Sequence, residues 1–219
     1  MTRKTGLLGG AFNPPHYGHL QSAREVMTAL GLERVLFIPS GRHPFKGADV
    51  LAPVAHRVAM VRLALEGEPG LDLWEIEAQA PTVSYTIETL AAWHRCHPDE
   101  EPVLLLGADI LGELHLWRAW QDLLALAHVA VMTRPGFFWD ARLPACAYLE
   151  HHLVTTGAQL DRNRLGRYGV CQVAVTPLEI ASTELRRRLR VGQSVSGLTP
   201  EVVGIYAHTH QLFSSQLLE

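Results

Sequence analysis

Continuous apolar runs recur along the chain, and the segments between them carry apolar residues at helical spacing. Thr5–Leu8, Arg34–Ile38, Val103–Gly107, His128–Met132 and Val170–Val175 read as buried strands, and Leu71–Ile76 alternates enough to be another. Helical periodicity covers about Gly18–Leu30, a segment running from Pro53 through Val58, Met60, Val61 and Leu65, then Tyr85–Trp93 and Leu114–Leu126. Two helices close the chain at about Thr183–Val191 and Pro200–Gln211. Continuous strands alternating with helices predict an α/β fold, a doubly wound parallel sheet covered on both faces, with a small C-terminal helical part. Between Phe137 and Arg167 the pattern loosens, and Pro144, Gly157 and Gly166 predict irregular structure there. With no repeat and no linker composition, the expectation is one domain over residues 1–219, the helices of about 183–211 included.

Composition narrows the function classes. A formal charge of −3 gives no basic surface for general nucleic-acid binding, so an anion must be held locally. Cys96, Cys146 and Cys171 are too scattered for a disulfide framework or a zinc ribbon and suit a reducing cytoplasm. No apolar run approaches the roughly 20 residues of a membrane span, and Gly6-Leu7-Leu8 is too short and glycine-broken for a signal peptide.

The chemistry gathers in two stretches. In Gly9-Gly10-Ala11-Phe12-Asn13-Pro14-Pro15-His16-Tyr17-Gly18-His19-Leu20, a strand gives way to a helix. Glycines permit close approach of a ligand to the main chain, prolines stiffen the path, and the next helix N-terminus favours an anion. His16 and His19, three residues apart with small Gly18 between them, face one side of a starting helix and can meet one phosphate. Spacing alone also fits a metal pair or two surface histidines. In Ile180-Ala181-Ser182-Thr183-Glu184-Leu185-Arg186, Ser182 or Thr183 can cap a helix and Arg186 follows Thr183 by one turn. A capped helix with the solvated basic face Arg186-Arg187-Arg188-Arg190 reads the same way.

Together the two stretches resemble motifs of the nucleotidylyltransferase superfamily: Gly-Gly-Ser/Thr-Phe-Asp/Asn-Pro-x-His-x-Gly-His at one end and Ile-Ser-Ser/Ala-Thr-x-x-Arg at the other. Ser84-Tyr85-Thr86-Ile87-Glu88-Thr89-Leu90, Leu106-Gly107-Ala108-Asp109 with Trp117, His56-Arg57-Val58-Ala59-Met60 and Met132-Thr133-Arg134-Pro135-Gly136 resemble segments of the bacterial nicotinate-nucleotide adenylyltransferases. The resemblance spans about Lys4 to Leu212 and implies a Rossmann-like fold and adenylyl transfer from ATP to nicotinate mononucleotide, yielding the deamido dinucleotide and pyrophosphate. It implies that His16, His19, Lys46 and Arg186 act on the phosphates, and that Gly9, Gly10, Ala11, Phe12, Gly107, Asp109, Ser182 and Thr183 bind nucleotide with them. Tyr85, Thr86, Trp117 and Arg134 would surround the mononucleotide. Mg²⁺ would be held mainly by ATP phosphates, without a protein cage. ATP and the mononucleotide are the implied partners, with no nucleic acid and no membrane, in a monomer or homodimer of the cytoplasm.

Ala11 stands where the family commonly has Ser or Thr, and Phe45 where many members have the His of Pro-Pro-His-Lys, with Lys46 kept. The segment Ala80–Val83 before Ser84 is slightly longer than usual. Alternatives are another acceptor such as nicotinamide mononucleotide, a nucleotide-binding sensor without catalysis, and a zinc protein using pairs such as His94/His97 or His151/His152.

Overall fold

A computed structural model describes residues 3–41, 51–154, 160 and 168–214. Strands β1 (Arg3–Gly10), β2 (Arg34–Pro39), β3 (Leu71–Leu73), β4 (Glu100–Gly107), β5 (His128–Thr133) and β6 (Val170–Ala174) form one sheet in the order β3-β2-β1-β4-β5-β6. The pairings β1–β4, β4–β5 and β5–β6 are parallel, with Gly6 opposite Val103, Leu104 opposite Val129 and Val131 opposite Gln172. Crossover helices make this parallel order possible: α1 (Tyr17–Leu30), α2 (Val54–Leu65), α3 (Thr86–Cys96), α4 (Leu123–Leu126) and α5 (Pro144–Glu150). Helices α6 (Ser182–Arg190) and α7 (Glu201–Thr209) follow the last strand. The apolar runs are central strands because both their faces are covered: Val129, Ala130 and Val131 are all fully buried.

The chain divides into two compact units, one of Met1–Leu8, Ser22–Leu36 and Tyr85–Pro177, the other of Gly9–Gln21, Phe37–Ser84 and Leu178–Glu219. In the first, Trp93 and Tyr168 are the largest buried aromatic side chains, and the Trp93 indole N–H donates to the Glu100 carbonyl at 3.3 Å. Glu100 also takes the Thr5 hydroxyl at 2.8 Å and the Arg34 guanidinium at 3.3 Å, which ties the starts of β4, β1 and β2 together. In the second unit α2 packs on α7 through Met60, Ala64, Val203 and Ala207, with Leu212 beyond α7 closing the cluster.

One expected helix is replaced. Leu114–Leu126 contains 3-10 turns at Leu114–Leu116 and Trp120–Asp122 before the single turn of α4, because Ala119 adopts a left-handed φ of 51° and reverses the path. Among the described residues of the loose stretch after Phe137 lies a short helix, α5, which Pro144 starts at a position that needs no N–H donor. Pro53 is the N-cap of α2, one residue before the helix that it was expected to open from inside. No helix of the described residues is long and apolar enough to cross a membrane.

Buried His128 gives the first unit a pH response. Its Nδ1 accepts the Gly169 N–H at 2.9 Å, so Nε2 carries the proton and faces the Glu101 carboxylate at 3.5 Å. Burial pushes its pKa below the ordinary value, outweighing Glu101, which raises it, while Lys4 lowers it further. The unfolded chain therefore takes up a proton that the folded protein resists. The stability owed to this group is fully present above the unfolded value of about 6.5 and is lost as pH falls below it. Thermal unfolding between neutral pH and pH 5 should show a falling midpoint, and His128→Asn should flatten that fall; an unchanged slope would count against this assignment.

Candidate active site

The segment after β1 enters α1 through a short, constrained path. Phe12 has a left-handed φ of 47° and the Asn13–Pro14 peptide is cis. The Phe12 ring is buried, edge-on to the His19 ring at 5.1 Å and tilted against Phe37 at 5.3 Å, so its side chain supports the histidine from below. Glycine is needed at Gly10 because a β-carbon there would press on that ring at 3.2 Å, whereas Gly9 has open space above it.

His16 is the residue before the first turn of α1, and its carbonyl accepts the N–H of His19 at 2.9 Å. In return the His16 N–H donates to Nδ1 of His19 at 3.2 Å. The second bond is one half of a capping box, the third helical residue reaching back to the cap N–H, with imidazole in the role usually played by Glu or Gln. An accepting Nδ1 leaves the His19 ring neutral with its proton on Nε2. The two rings stack with centroids 3.7 Å apart and 28° between planes. The spacing seen in the sequence thus places both imidazoles on one side of the helix start.

Gly18 is explained by the same stack. A β-carbon at this position would lie 3.0 Å from Nδ1 and 3.1 Å from Cε1 of His16, a side chain only 8% exposed. Gly18→Ala should therefore displace the His16 ring and reduce turnover by about tenfold, since misplacing a reacting group by a fraction of an ångström is costly. Paired rate measurements and thermal melts would check it: normal turnover would show that the ring gives way without consequence.

The second stretch is brought against the first, within one unit. Ser182 Oγ donates to the Pro14 carbonyl at 2.9 Å, and Arg186 donates to the Asn13 carbonyl at 3.0 Å and to Thr183 Oγ1 at 3.2 Å. The expected capping role is not what these hydroxyls do: Ala181 is the N-cap of α6, and it makes no side-chain cap bond. The basic face is also divided. Glu184 pairs with Arg187 at 2.7 Å and Arg188 at 2.9 Å, whose hydrogen bonds hold its carboxyl down at about 2, while Arg186 turns to the histidine segment. Partial burial, then Arg190, lowers the Arg186 pKa from its ordinary value, although a guanidinium stays charged at any working pH.

Thr199 and Arg57 complete this arrangement, and sequence reasoning assigned neither a role. Buried Thr199 donates its hydroxyl to the Pro15 carbonyl at 2.8 Å, beside a Tyr17 N–H to Leu198 carbonyl bond of 3.0 Å. Arg57 donates to the Ala11 carbonyl at 2.9 Å. Lys46 and Phe45 lie outside the described residues.

In the other unit, Tyr85 is the N-cap of α3 and Thr86 its first residue, both half-buried. The Arg118 guanidinium lies 4.9 Å from the Tyr85 ring centroid and 2.8 Å from the Glu88 carboxylate, fixing the ring from its exposed side. Arg118 was also missed; its neighbour Trp117, half-buried, was expected. Asp109 lies exposed in the 3-10 turn Ala108–Gly112, with its carboxylate folded against Gly107 so that a β-carbon there would collide with it. The N-cap of that turn is Gly107, so Asp109 does not occupy the capping position. Arg134 is exposed at the turn after β5.

His94 Nε2 is 2.7 Å from the Leu126 carbonyl and His97 stacks on Trp93 at 4.0 Å. Among the described residues no group of three or more His, Cys, Asp or Glu side chains is placed to hold a metal.

Comparison with known proteins adds to this geometry. Residues 7–188 match the cytidylyltransferase-like family model. A probable nicotinate-nucleotide adenylyltransferase of Roseiflexus sp. (strain RS-1) is 39% identical over 213 residues, covering 95% of this chain and 96% of that protein. One from Dechloromonas aromatica (strain RCB) is 38% identical over 224 residues, covering 97% and 99%. In fold, the chain is similar to Plasmodium falciparum nicotinic acid mononucleotide adenylyltransferase complexed with NaAD, with a TM-score of 0.74, 15% identity, and coverage of 96% of this chain and 97% of that one.

Proposed function

We propose, because this chain belongs to the cytidylyltransferase-like family and within it to the nicotinate-nucleotide adenylyltransferases, that it transfers the adenylyl group of ATP to nicotinate mononucleotide. The products are nicotinate adenine dinucleotide and pyrophosphate, a step of NAD biosynthesis. The observation that carries this reading is the joining of the two phosphate-binding stretches: Ser182 and Arg186 bond to the carbonyls of Pro14 and Asn13, beside the stacked histidines.

The acceptor phosphate is already largely dianionic at neutral pH, since its second pKa is about 6, and it attacks the α-phosphorus without a general base. The bond from the α-phosphorus to the bridging oxygen breaks, and pyrophosphate carries that electron pair away. Catalysis then rests on position and on charge stabilisation. His19 donates Nε2–H to the phosphates as charge builds on the bridging oxygen, and His16 lies stacked beside it for the same task. Arg186 holds the departing pyrophosphate, with Lys46 assigned the same role. Gly9, Gly10, Ala11 and Phe12 bring the main chain close to the nucleotide, Ser182 and Thr183 border its phosphates, and Gly107 with Asp109 serves the ribose. Magnesium would be held mainly by the ATP phosphates, with no protein cage, and would offset the charge that builds on them.

For the acceptor, Trp117 stacks on the pyridine ring, Arg134 meets its phosphate, and Tyr85 and Thr86 read the carboxylate. Thr86 opens α3, so its N–H is one of those a helix leaves unsatisfied and suits an anionic group. The test is pyrophosphate release from ATP and Mg²⁺ on adding nicotinate mononucleotide. Release with formation of the dinucleotide is expected; binding of both ligands without release would identify a sensor instead.

A further inference from the structure

Behind the histidine segment lies a charge that the reaction scheme does not use. Arg57 of α2 is only 2% exposed. Its Nε–H donates to the Ala52 carbonyl at 3.0 Å, one terminal nitrogen to the Ala11 carbonyl at 2.9 Å, and the other to the carbonyls of Ser40 at 2.6 Å and Gly41 at 3.1 Å. Among the described residues no carboxylate pairs with it, and burial alone lowers its pKa from the ordinary value. Interior cations are normally paired, because carbonyl dipoles only partly replace water. Keeping one here implies that its charge or its fork is used.

Of the peptide planes that Arg57 holds, those after Ala11 and Ser40 each carry an N–H on the far side. In a trans peptide the carbonyl and the following N–H point in opposite directions. Turning the Ala11 and Ser40 carbonyls onto Arg57 therefore aims the N–H groups of Phe12 and Gly41 away from it. The Gly41 turn is tight, since a β-carbon there would collide with the Glu77 carbonyl oxygen. Asn13 adds to the same lock: its Oδ1 accepts the Ala52 N–H at 3.0 Å. One guanidinium thus spans the loop after β1, the loop after β2 and the entry to α2.

We propose that Arg57 is a positioning residue for adenylyl transfer, which sets the peptide planes of the nucleotide loop through its fork and draws the ATP phosphates through its positive charge. This rests on the adenylyltransferase reading. Lysine keeps the charge and loses the fork, so Arg57→Lys should lower kcat by about tenfold or more, the weight of one or two charged hydrogen bonds, with KM for ATP nearly unchanged. Arg57→Ala loses both, and should raise KM for ATP as well. Guanidinium ion added to that variant should restore turnover, while urea, planar but uncharged, should not.

Pyrophosphate release by the intact wild-type enzyme separates the two ideas: a silent wild type sinks the adenylyltransferase reading, whereas an active wild type with unaltered Arg57 variants sinks this proposal alone. Equal rescue by urea would also overturn the charge component. Nuclear magnetic resonance of the Arg57 Nε–H in the wild-type protein needs no variant and decides the matter if the variants fail to fold. A shift of that signal on titration with ATP supports the proposal, and a signal unmoved at saturation contradicts it.

Discussion

His19→Ala should lower turnover by about 10²- to 10³-fold, the usual cost of deleting one donor aimed at developing charge, while ATP affinity changes little. The split follows from where the donor acts. Only contacts that strengthen in the transition state raise kcat, and charge on the bridging oxygen appears only as pyrophosphate departs. The bond from the His16 N–H to Nδ1 keeps the His19 proton on Nε2, and the Phe12 edge at 5.1 Å holds the ring in place. His19→Gln keeps a donor of different reach and should recover only part of the loss. Turnover from pyrophosphate release and affinity from direct ATP titration measure the two effects separately. A variant that loses affinity and keeps turnover would place His19 in ground-state binding instead.

Arg186→Leu should have the next largest effect: turnover lower by about 10²-fold and KM for ATP higher by about tenfold. Leucine preserves much of the apolar stem, so the change isolates the guanidinium. That group spends one hydrogen bond on the Asn13 carbonyl and one on Thr183, and it lies outside the Glu184 pairings that occupy Arg187 and Arg188. Arg187→Leu is the matched control and should leave both parameters within about twofold, since exposed pairs contribute little. Equal effects at the two positions would mean that general positive charge on α6 matters, and that Arg186 has no special place.

The central strands were legible because burial on both faces demands unbroken apolar runs, as in Val103–Leu106 and Val129–Val131. The partnership of Ser182–Arg186 with the histidine segment was legible only through resemblance: residues 168 to 173 positions apart leave no periodic trace of their contact. The false helix at Leu114–Leu126 shows the limit of periodicity. Leu114, Leu123 and Leu124 are buried at a spacing that a helix or a series of turns satisfies equally, and nothing local announces the left-handed Ala119. Arg57, noted only within a family-like segment, and Arg118 were given no role for a related reason. An arginine in a helical or turn segment reads as a solvated charge, and only the fold reveals that one is buried among carbonyls while the other covers Tyr85. Ser182 or Thr183 was read as a cap because such residues before a helix usually are; here the Ser182 hydroxyl finds the Pro14 carbonyl and Thr183 accepts from Arg186.

The central claim is most directly tested by comparing kcat/KM for nicotinate and nicotinamide mononucleotides, side by side, with ATP and Mg²⁺ at saturation. The carboxylate is what the unsatisfied amides at the start of α3 can recognise, so nicotinate mononucleotide should be preferred by at least about 10²-fold, as expected where a site pairs a group that its rival lacks. Preference for the nicotinamide form, or equal use of both, would contradict the assignment of Tyr85 and Thr86 and with it the substrate proposed here.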